Sequence, residues 1–304
     1  TDALKVSAGV RFSDDSKVRT GGRYAGPGLG APPATQPVLT YIPEGAASRS
    51  KDKDTSYHFG IDYQATPTSM LYAKVDKGYK SGGFTSINEY GPETVLSYEV
   101  GSKNRFLGNS LQLNLSGFWY DYQDQQVSQV TSNGVQVLNA GSSRVKGLEA
   151  QVDWLVTAND TLDASVNWLD AKYKDFAVNV AGVNVNQRGN RLVQAPEWAL
   201  SAGYQHSFPT AGGGSIVPRI QGLYRSEQFF TFFNRFNDRQ KSYTTLDLSL
   251  TYAAPQDSWN VQAYARNLTN TVVLTGANIG SFTGTNMYQF AAPRTYGVRL
   301  STKF

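Results

Sequence analysis

Pro293-Arg-Thr-Tyr-Gly-Val-Arg-Leu-Ser-Thr-Lys-Phe304 ends the chain, and its reading decides the fold. Tyr296, Val298, Leu300, Thr302 and Phe304 take alternate positions, with Gly297, Arg299, Ser301 and Lys303 between them. A β-strand sends successive side chains to opposite faces, so this segment has one greasy face and one charged face. Ending on an aromatic, it has the pattern of a strand with lipid on one side and an aqueous lumen on the other.

The same alternation recurs towards the N-terminus, near 4–12, 57–64, 71–76, 96–101, 111–119, 148–154, 162–168, 198–205, 216–222, 246–252 and 259–266. With the last segment this predicts about twelve strands, the proline at 218 being the weak point of its own. The connections alternate in length. Short ones lie at 65–69, 108–110, 157–160, 209–214 and 255–258; long ones run near 17–54, 80–93, 125–143, 176–195, 231–241 and 274–290. Membrane barrels have short periplasmic turns and long external loops, whereas a soluble β-sandwich, the competing reading, has no reason to put its length at one end.

Composition agrees. Hydrophobic residues are 40% of the chain, and no run approaches the ~20 apolar residues of a spanning helix. A barrel needs only every second residue to be apolar. Aromatics are 12%, enough for interfacial girdles. With no cysteine, disulfide scaffolds, thiol nucleophiles and cysteine zinc sites are excluded. A net charge of +4 with scattered Lys and Arg gives nucleic acid no footprint, and no metal-ligand spacing or cofactor fingerprint is present.

Several stretches resemble the C-terminal β-barrel of TonB-dependent outer-membrane receptors. They include Tyr72-Ala-Lys-Val-Asp-Lys-Gly-Tyr-Lys-Ser-Gly-Gly-Phe84, Pro92-Glu-Thr-Val-Leu-Ser-Tyr-Glu-Val-Gly-Ser-Lys103 and Asn139-Ala-Gly-Ser-Ser-Arg-Val-Lys-Gly-Leu-Glu149. Phe118-Trp-Tyr-Asp-Tyr122, Ala195-Pro-Glu-Trp198, Arg266-Asn-Leu-Thr-Asn270 and the strand ending in Phe304, the barrel-closing residue, continue the likeness. It spans nearly all of 1–304. It implies an all-β transmembrane antiparallel barrel in the bacterial outer membrane, with long loops extracellular and short turns and C-terminus periplasmic. The relatives are 22-stranded with a plugged lumen. Neither plug nor first strands are recognised here, and Thr1-Asp-Ala-Leu-Lys-Val6 is no signal peptide, so the C-terminal part of such a receptor is expected. A free-standing twelve-stranded porin is the alternative. Implied partners are outer-membrane lipid or lipopolysaccharide, a plug and remaining strands on another chain or stretch, and the TonB–ExbB–ExbD complex. The implied activity is uptake of a scarce ligand such as a ferric siderophore, without enzymatic chemistry.

Candidate ligand-binding residues lie in the external loops: Tyr24, Tyr41, Phe84, Tyr90, Phe232, Phe233, Arg235, Arg239 and Tyr288. The run Phe229-Phe-Thr-Phe-Phe-Asn-Arg-Phe236 could clamp an aromatic or anionic ligand by stacking and cation–π contact, or could be an aromatic girdle at the headgroups. Trp119, Trp154, Trp168, Trp198 and Trp259 all fall on the apolar face and read as interfacial anchors. Inward charges such as Asp62, Asp76, Glu99, Lys103, Glu149 and Arg219 read as a wall network more readily than as a substrate site. The two histidines, His58 and His206, read as lumen or surface filling; a Ser-His-Asp arrangement has no fixed spacing and stays open.

Overall fold

The computed structural model describes residues 3–25, 40–43, 48–85, 88–131, 134–180, 183–281 and 285–303. Twelve long strands carry the architecture: β1 (Leu4–Arg19), β2 (Ser48–Thr66), β3 (Ser69–Lys80), β4 (Glu93–Phe106), β5 (Leu111–Thr131), β6 (Gly134–Leu155), β7 (Asp160–Asp175), β8 (Trp198–His206), β9 (Ser215–Arg225), β10 (Tyr243–Ala253), β11 (Trp259–Arg266) and β12 (Thr295–Thr302). Each pairs antiparallel with its sequence neighbours in one continuous sheet. Phe304 lies outside the described residues.

The register confirms the faces. Val298 stands opposite Ala263, Ala263 opposite Leu250, and Leu148 opposite Trp168, which is opposite Trp198. Side chains that the alternation assigns to the apolar face are the exposed ones: Val6, Val10, Phe59, Val100, Leu148, Leu250, Val298 and Leu300 among them. Large apolar side chains turned outward on strand after strand form a surface for hydrocarbon rather than water. All five tryptophans share this face, in two belts. Lys146, opposite Trp119, and Trp154 are eight residues apart on β6. That is about 26 Å along a strand, or about 20 Å of height at a tilt near 40°, close to the apolar band of an outer-membrane barrel.

Short connections join strands at one end. Between β4 and β5, Leu107, Gly108 and Asn109 are all left-handed (φ 52, 65 and 74), which turns the chain in three residues. Pro218 sits inside the sheet, where its ladder to β8 is interrupted: pairing stops at Gln205–Arg219 and resumes at Phe208–Ile216. A proline has no N–H to give there.

The loop boundaries need correction. The stretch 125–143 is a hairpin, not a loop. Gln125–Thr131 pair with Gly134–Ala140, extending β5 and β6 beyond their neighbours. The 17–54 loop is shorter, since β1 runs to Arg19 and β2 starts at Ser48. Much of 274–290 is a hairpin of Leu274–Ser281 with Thr285–Phe290.

Among the described residues, no ladder joins β1 to β12, so the twelve strands do not close on themselves. The Gln64 N–H donates to the Ala3 carbonyl, which makes the odd residues of β1 the hydrogen-bonded partners of β2. Its even residues, Leu4 to Val18, therefore turn N–H and C=O to an open edge. The Lys303 N–H bonded to the Ser258 carbonyl leaves the even residues of β12 in the same position. Such groups cost several kcal/mol each when left unpaired in hydrocarbon.

Candidate functional site

The inward face is polar and internally paired. Lys74 and Glu99 form an ion pair (3.1 Å), with the Tyr72 hydroxyl donating to the same carboxylate at 2.9 Å. Arg219 reaches Asp163 across Gly203 (2.6 Å); a Cβ on Gly203 would collide with both partners. Of the inward charges named from the sequence, Glu99 and Arg219 thus form wall contacts.

Ser7, His58 and Asp76, on β1, β2 and β3, have the connectivity of a hydrolytic triad: Ser7 Oγ to His58 Nε2 is 3.0 Å, and His58 Nδ1 to Asp76 Oδ1 is 2.5 Å. A nucleophile also needs donors aimed at the developing oxyanion. The ladder takes the Ser7 and Gly9 N–H groups, since Ser7–Gly60 and Gly9–His58 are hydrogen-bonded pairs. The triad connectivity runs along the wall as a chain of hydrogen bonds. His206 faces Asp160 (2.6 Å) and Phe208 (ring centroids 4.2 Å).

The long-loop end is where the chain builds structure beyond the wall. A small core forms there from Val127, Ala140, Ala171, Tyr173, Phe176, Val178, Leu192 and Phe232. It draws on the β5–β6 hairpin, the top of β7 and two loops, 176–197 and 226–242. Phe176 packs edge-on against Phe232 with centroids 5.0 Å apart. Asparagines join the two loops: Asn190 donates to the Phe232 carbonyl (2.9 Å), and Asn234 accepts the Arg191 N–H (2.7 Å). The 81–92 loop is fastened to the hairpin by Asn139, which accepts from the Gly91 N–H (2.8 Å) and donates to the Asp124 carbonyl (2.8 Å).

This geometry divides the candidates. Phe232 is 1% exposed inside the core, so it holds the two loops together and offers no surface to a ligand. Phe233 lies against it (4.5 Å), and the Arg235 guanidinium covers Phe233 at 4.2 Å. Arg239 is tied to Glu227 (2.8 Å) and stacks over Phe236 at 4.6 Å. Tyr288 joins this group through its hydroxyl, which donates to the Asn237 carbonyl (3.0 Å). Phe84 and Tyr90 belong to a separate two-strand ribbon, and Tyr24 and Tyr41 stand opposite each other in a third. The structure therefore gathers Phe233, Arg235, Arg239 and Tyr288, not all nine candidates.

Phe236, part of the aromatic run but not among the nine candidates, is its most exposed phenylalanine. It is 78% exposed, with the Arg239 guanidinium over its ring. In sequence it looks like Phe232; only packing separates them. Beneath the run, Asp238 is fully buried, with Thr231 donating to Oδ2 and no partner for Oδ1. Burial pushes its carboxyl above the ordinary range.

The motif Arg266-Asn-Leu-Thr-Asn270 has a structural basis. Asn267 and Asn270 are left-handed (φ 48 and 53); the Asn267 N–H donates to Asp247 (2.8 Å), and its side chain brackets Thr271. The motif locks the exit from β11.

Comparison with known proteins agrees with this architecture. The family described as TonB dependent receptor-like, beta-barrel matches residues 1–268. The pesticin receptor of Yersinia pestis is 24% identical over 275 residues, covering 88% of this chain and 37% of its own length. The metal-pseudopaline receptor CntO of Pseudomonas aeruginosa is 28% identical over 217 residues, covering 68% of this chain and 28% of its own. The crystal structure of the ferric yersiniabactin uptake receptor FyuA from Yersinia pestis superposes with a TM-score of 0.79 at 21% identity, covering 100% of this chain and 44% of that one. The match thus covers 37% of the length of the first of these curated relatives and 28% of the second.

Proposed function

Because this chain belongs to the TonB-dependent receptor-like β-barrel family, we propose that it forms part of the wall of an outer-membrane receptor that actively imports a scarce ligand. A metal chelate such as a ferric siderophore is the class that the relatives' names suggest. The single observation that carries the reading is the open sheet. Twelve lipid-facing strands with no ladder between β1 and β12 among the described residues suit a wider, 22-stranded barrel with a plugged lumen. The plug and about ten strands would come from another stretch or chain. The long-loop end, with Phe233, Arg235, Phe236, Arg239 and Tyr288, would face outside and meet the ligand. Short turns and the C-terminus would face the periplasm, where TonB–ExbB–ExbD would act on the plug.

A passive twelve-stranded porin fits less well, because among the described residues no ladder joins the two edges that it must pair. An enzyme fits least, because the relatives are named as receptors.

The test is uptake of radiolabelled iron chelates by cells with and without the protein. Uptake that needs the protein and stops when the proton-motive force is collapsed supports the proposal. Steady ion conductance by the purified protein in planar bilayers, with chelate uptake unchanged by its deletion, would point to a channel instead.

A further inference from the structure

Asp238 and Arg235 carry opposite charges, stand three residues apart and do not pair. Asp238 is fully buried at the base of the aromatic run. Thr231 donates to one of its carboxyl oxygens, and the other has no hydrogen-bond partner among the described residues. A buried carboxylate with one oxygen unmet is costly once ionised. Arg235 is exposed and forms no ion pair among the described residues; its guanidinium rests on the Phe233 ring at 4.2 Å.

The neighbouring charges are otherwise engaged. Arg239 is held by Glu227 (2.8 Å), and Arg191, on loop 176–197, by Glu197 (2.7 Å). From the 274–290 hairpin the titratable group facing the run is Tyr288, whose hydroxyl donates to the Asn237 carbonyl (3.0 Å). Arg188 and Lys241 are open to solvent. Among the described residues, Arg235 is the cation whose charge acts on Asp238.

The backbone lets the two meet. A short 3-10 turn, Phe236–Asp238, is closed by the Asp238 N–H, which donates to the Arg235 carbonyl at 3.2 Å. On such a turn residues three apart eclipse, so side chains 235 and 238 leave the backbone from one side. The guanidinium thus has two seats, the Phe233 ring and the unmet Asp238 oxygen. The proton decides between them. A neutral carboxylic acid offers no charge to pair with, and the weaker stacking on an exposed ring holds. A buried carboxylate offers a charge-assisted hydrogen bond, which is stronger. Burial, by holding the Asp238 carboxyl above the ordinary aspartate range, moves the exchange towards neutral pH.

We infer that Asp238 is a proton switch on the availability of Arg235 to an anionic ligand. Protonated, Asp238 leaves the guanidinium on Phe233, open to the outside. Ionised, it draws Arg235 inward and uncovers the Phe233 ring. An anion on Arg235 and a proton on Asp238 therefore favour each other, so capture is tighter in acid and takes up a proton. The inference rests on the reading above that this loop meets the ligand, and it adds the regulation of that site.

The test is hydroxyl-radical labelling of the intact protein in lipid nanodiscs at about pH 5 and about pH 8, on either side of a raised carboxyl. Mass spectrometry reads the oxidation of each phenylalanine. Phe233 should oxidise severalfold more at the higher pH, relative to Phe236, whose cover, Arg239, is held by Glu227 and does not move. Phe232, inside the core, should stay protected at both. Asp238→Asn should keep Phe233 covered at both pH values, and Arg235→Gln should leave it uncovered at both. No pH effect on Phe233, or the same effect in Asp238→Asn, overturns the inference. So does a parallel rise at Phe232, which would mean that the loop unfolds rather than switches. Capture is read by fluorescence anisotropy with pyrenetetrasulfonate, a planar anion whose charge does not vary with pH. The parent should bind it severalfold tighter at the lower pH, and Asp238→Asn equally at both. Equal binding by the parent at both pH values overturns the regulation. Binding at neither, with Phe233 still switching, would overturn the ligand-meeting role of the loop and leave the switch standing.

Discussion

Val298→Arg tests the outward face at one position. Val298 is 72% exposed on β12. It lies four residues from Thr302, which stands opposite Trp259 of the lower tryptophan belt. Four residues are about 13 Å along the strand, or about 10 Å of height at a tilt near 40°. Half of an apolar band of about 25 Å is about 12 Å, so Val298 sits close to the bilayer midplane. An arginine there costs about 2–4 kcal/mol, roughly a thirtyfold to several-hundredfold loss in the folded, inserted fraction. Arg299, one residue on, faces the lumen, and Arg299→Val removes a water-facing charge for well under about 1 kcal/mol. The assay is urea-dependent folding into phospholipid bilayers, followed by heat-modifiable migration, with the two variants measured side by side. Equal losses, or a larger loss for Arg299→Val, would refute the assignment of faces.

Three further outcomes follow from particular contacts. Phe232→Ala should cost about 3–5 kcal/mol locally, because it empties the core that joins loops 176–197 and 226–242; limited proteolysis should then cut those loops first, and unchanged protection would refute the packing role. Gly203→Leu should destabilise by about 1–3 kcal/mol by displacing the Asp163–Arg219 pair, read as a lower urea midpoint. Asp238 has a folded pKa above its unfolded one, so the folded loop binds the proton more tightly. Its protonated form stabilises the loop below the ordinary aspartate range, and that stability falls as pH rises through the raised value. Exchange protection of 229–240, after correction for intrinsic base catalysis, should fall over that window, and Asp238→Asn should remove that fall.

The wall was legible in the sequence because a barrel strand has two solvents. Leu248 and Asp247, or Val298 and Arg299, cannot exchange places without burying charge in hydrocarbon, so the pattern survives in every strand. The edges of elements were less legible. Residues 125–143 alternate Gln, Ser and Asn with Val and Leu above the lipid, where neither face needs to be greasy, so the hairpin looked like a loop. The start of β6 fell to the same cause: the alternation read at 148–154 belongs to a strand that begins at Gly134. The candidate site was least legible. Phe232 and Phe236 are identical in type and four residues apart, yet one is core and the other surface. That difference comes from Phe176 and Leu192, contributed by a distant loop, which no local pattern records.

The central claim is that neighbouring residues of each wall strand inhabit different solvents. The chain has no native cysteine, so single cysteines can be placed at each position from 295 to 302 and labelled with a nitroxide in bilayers. Collision with dissolved oxygen, which concentrates in hydrocarbon, should peak at Tyr296, Val298 and Leu300. Collision with a water-soluble nickel chelate should peak at Gly297, Arg299 and Ser301. Oxygen and nickel profiles without a two-residue period, or in phase with each other, would contradict the account.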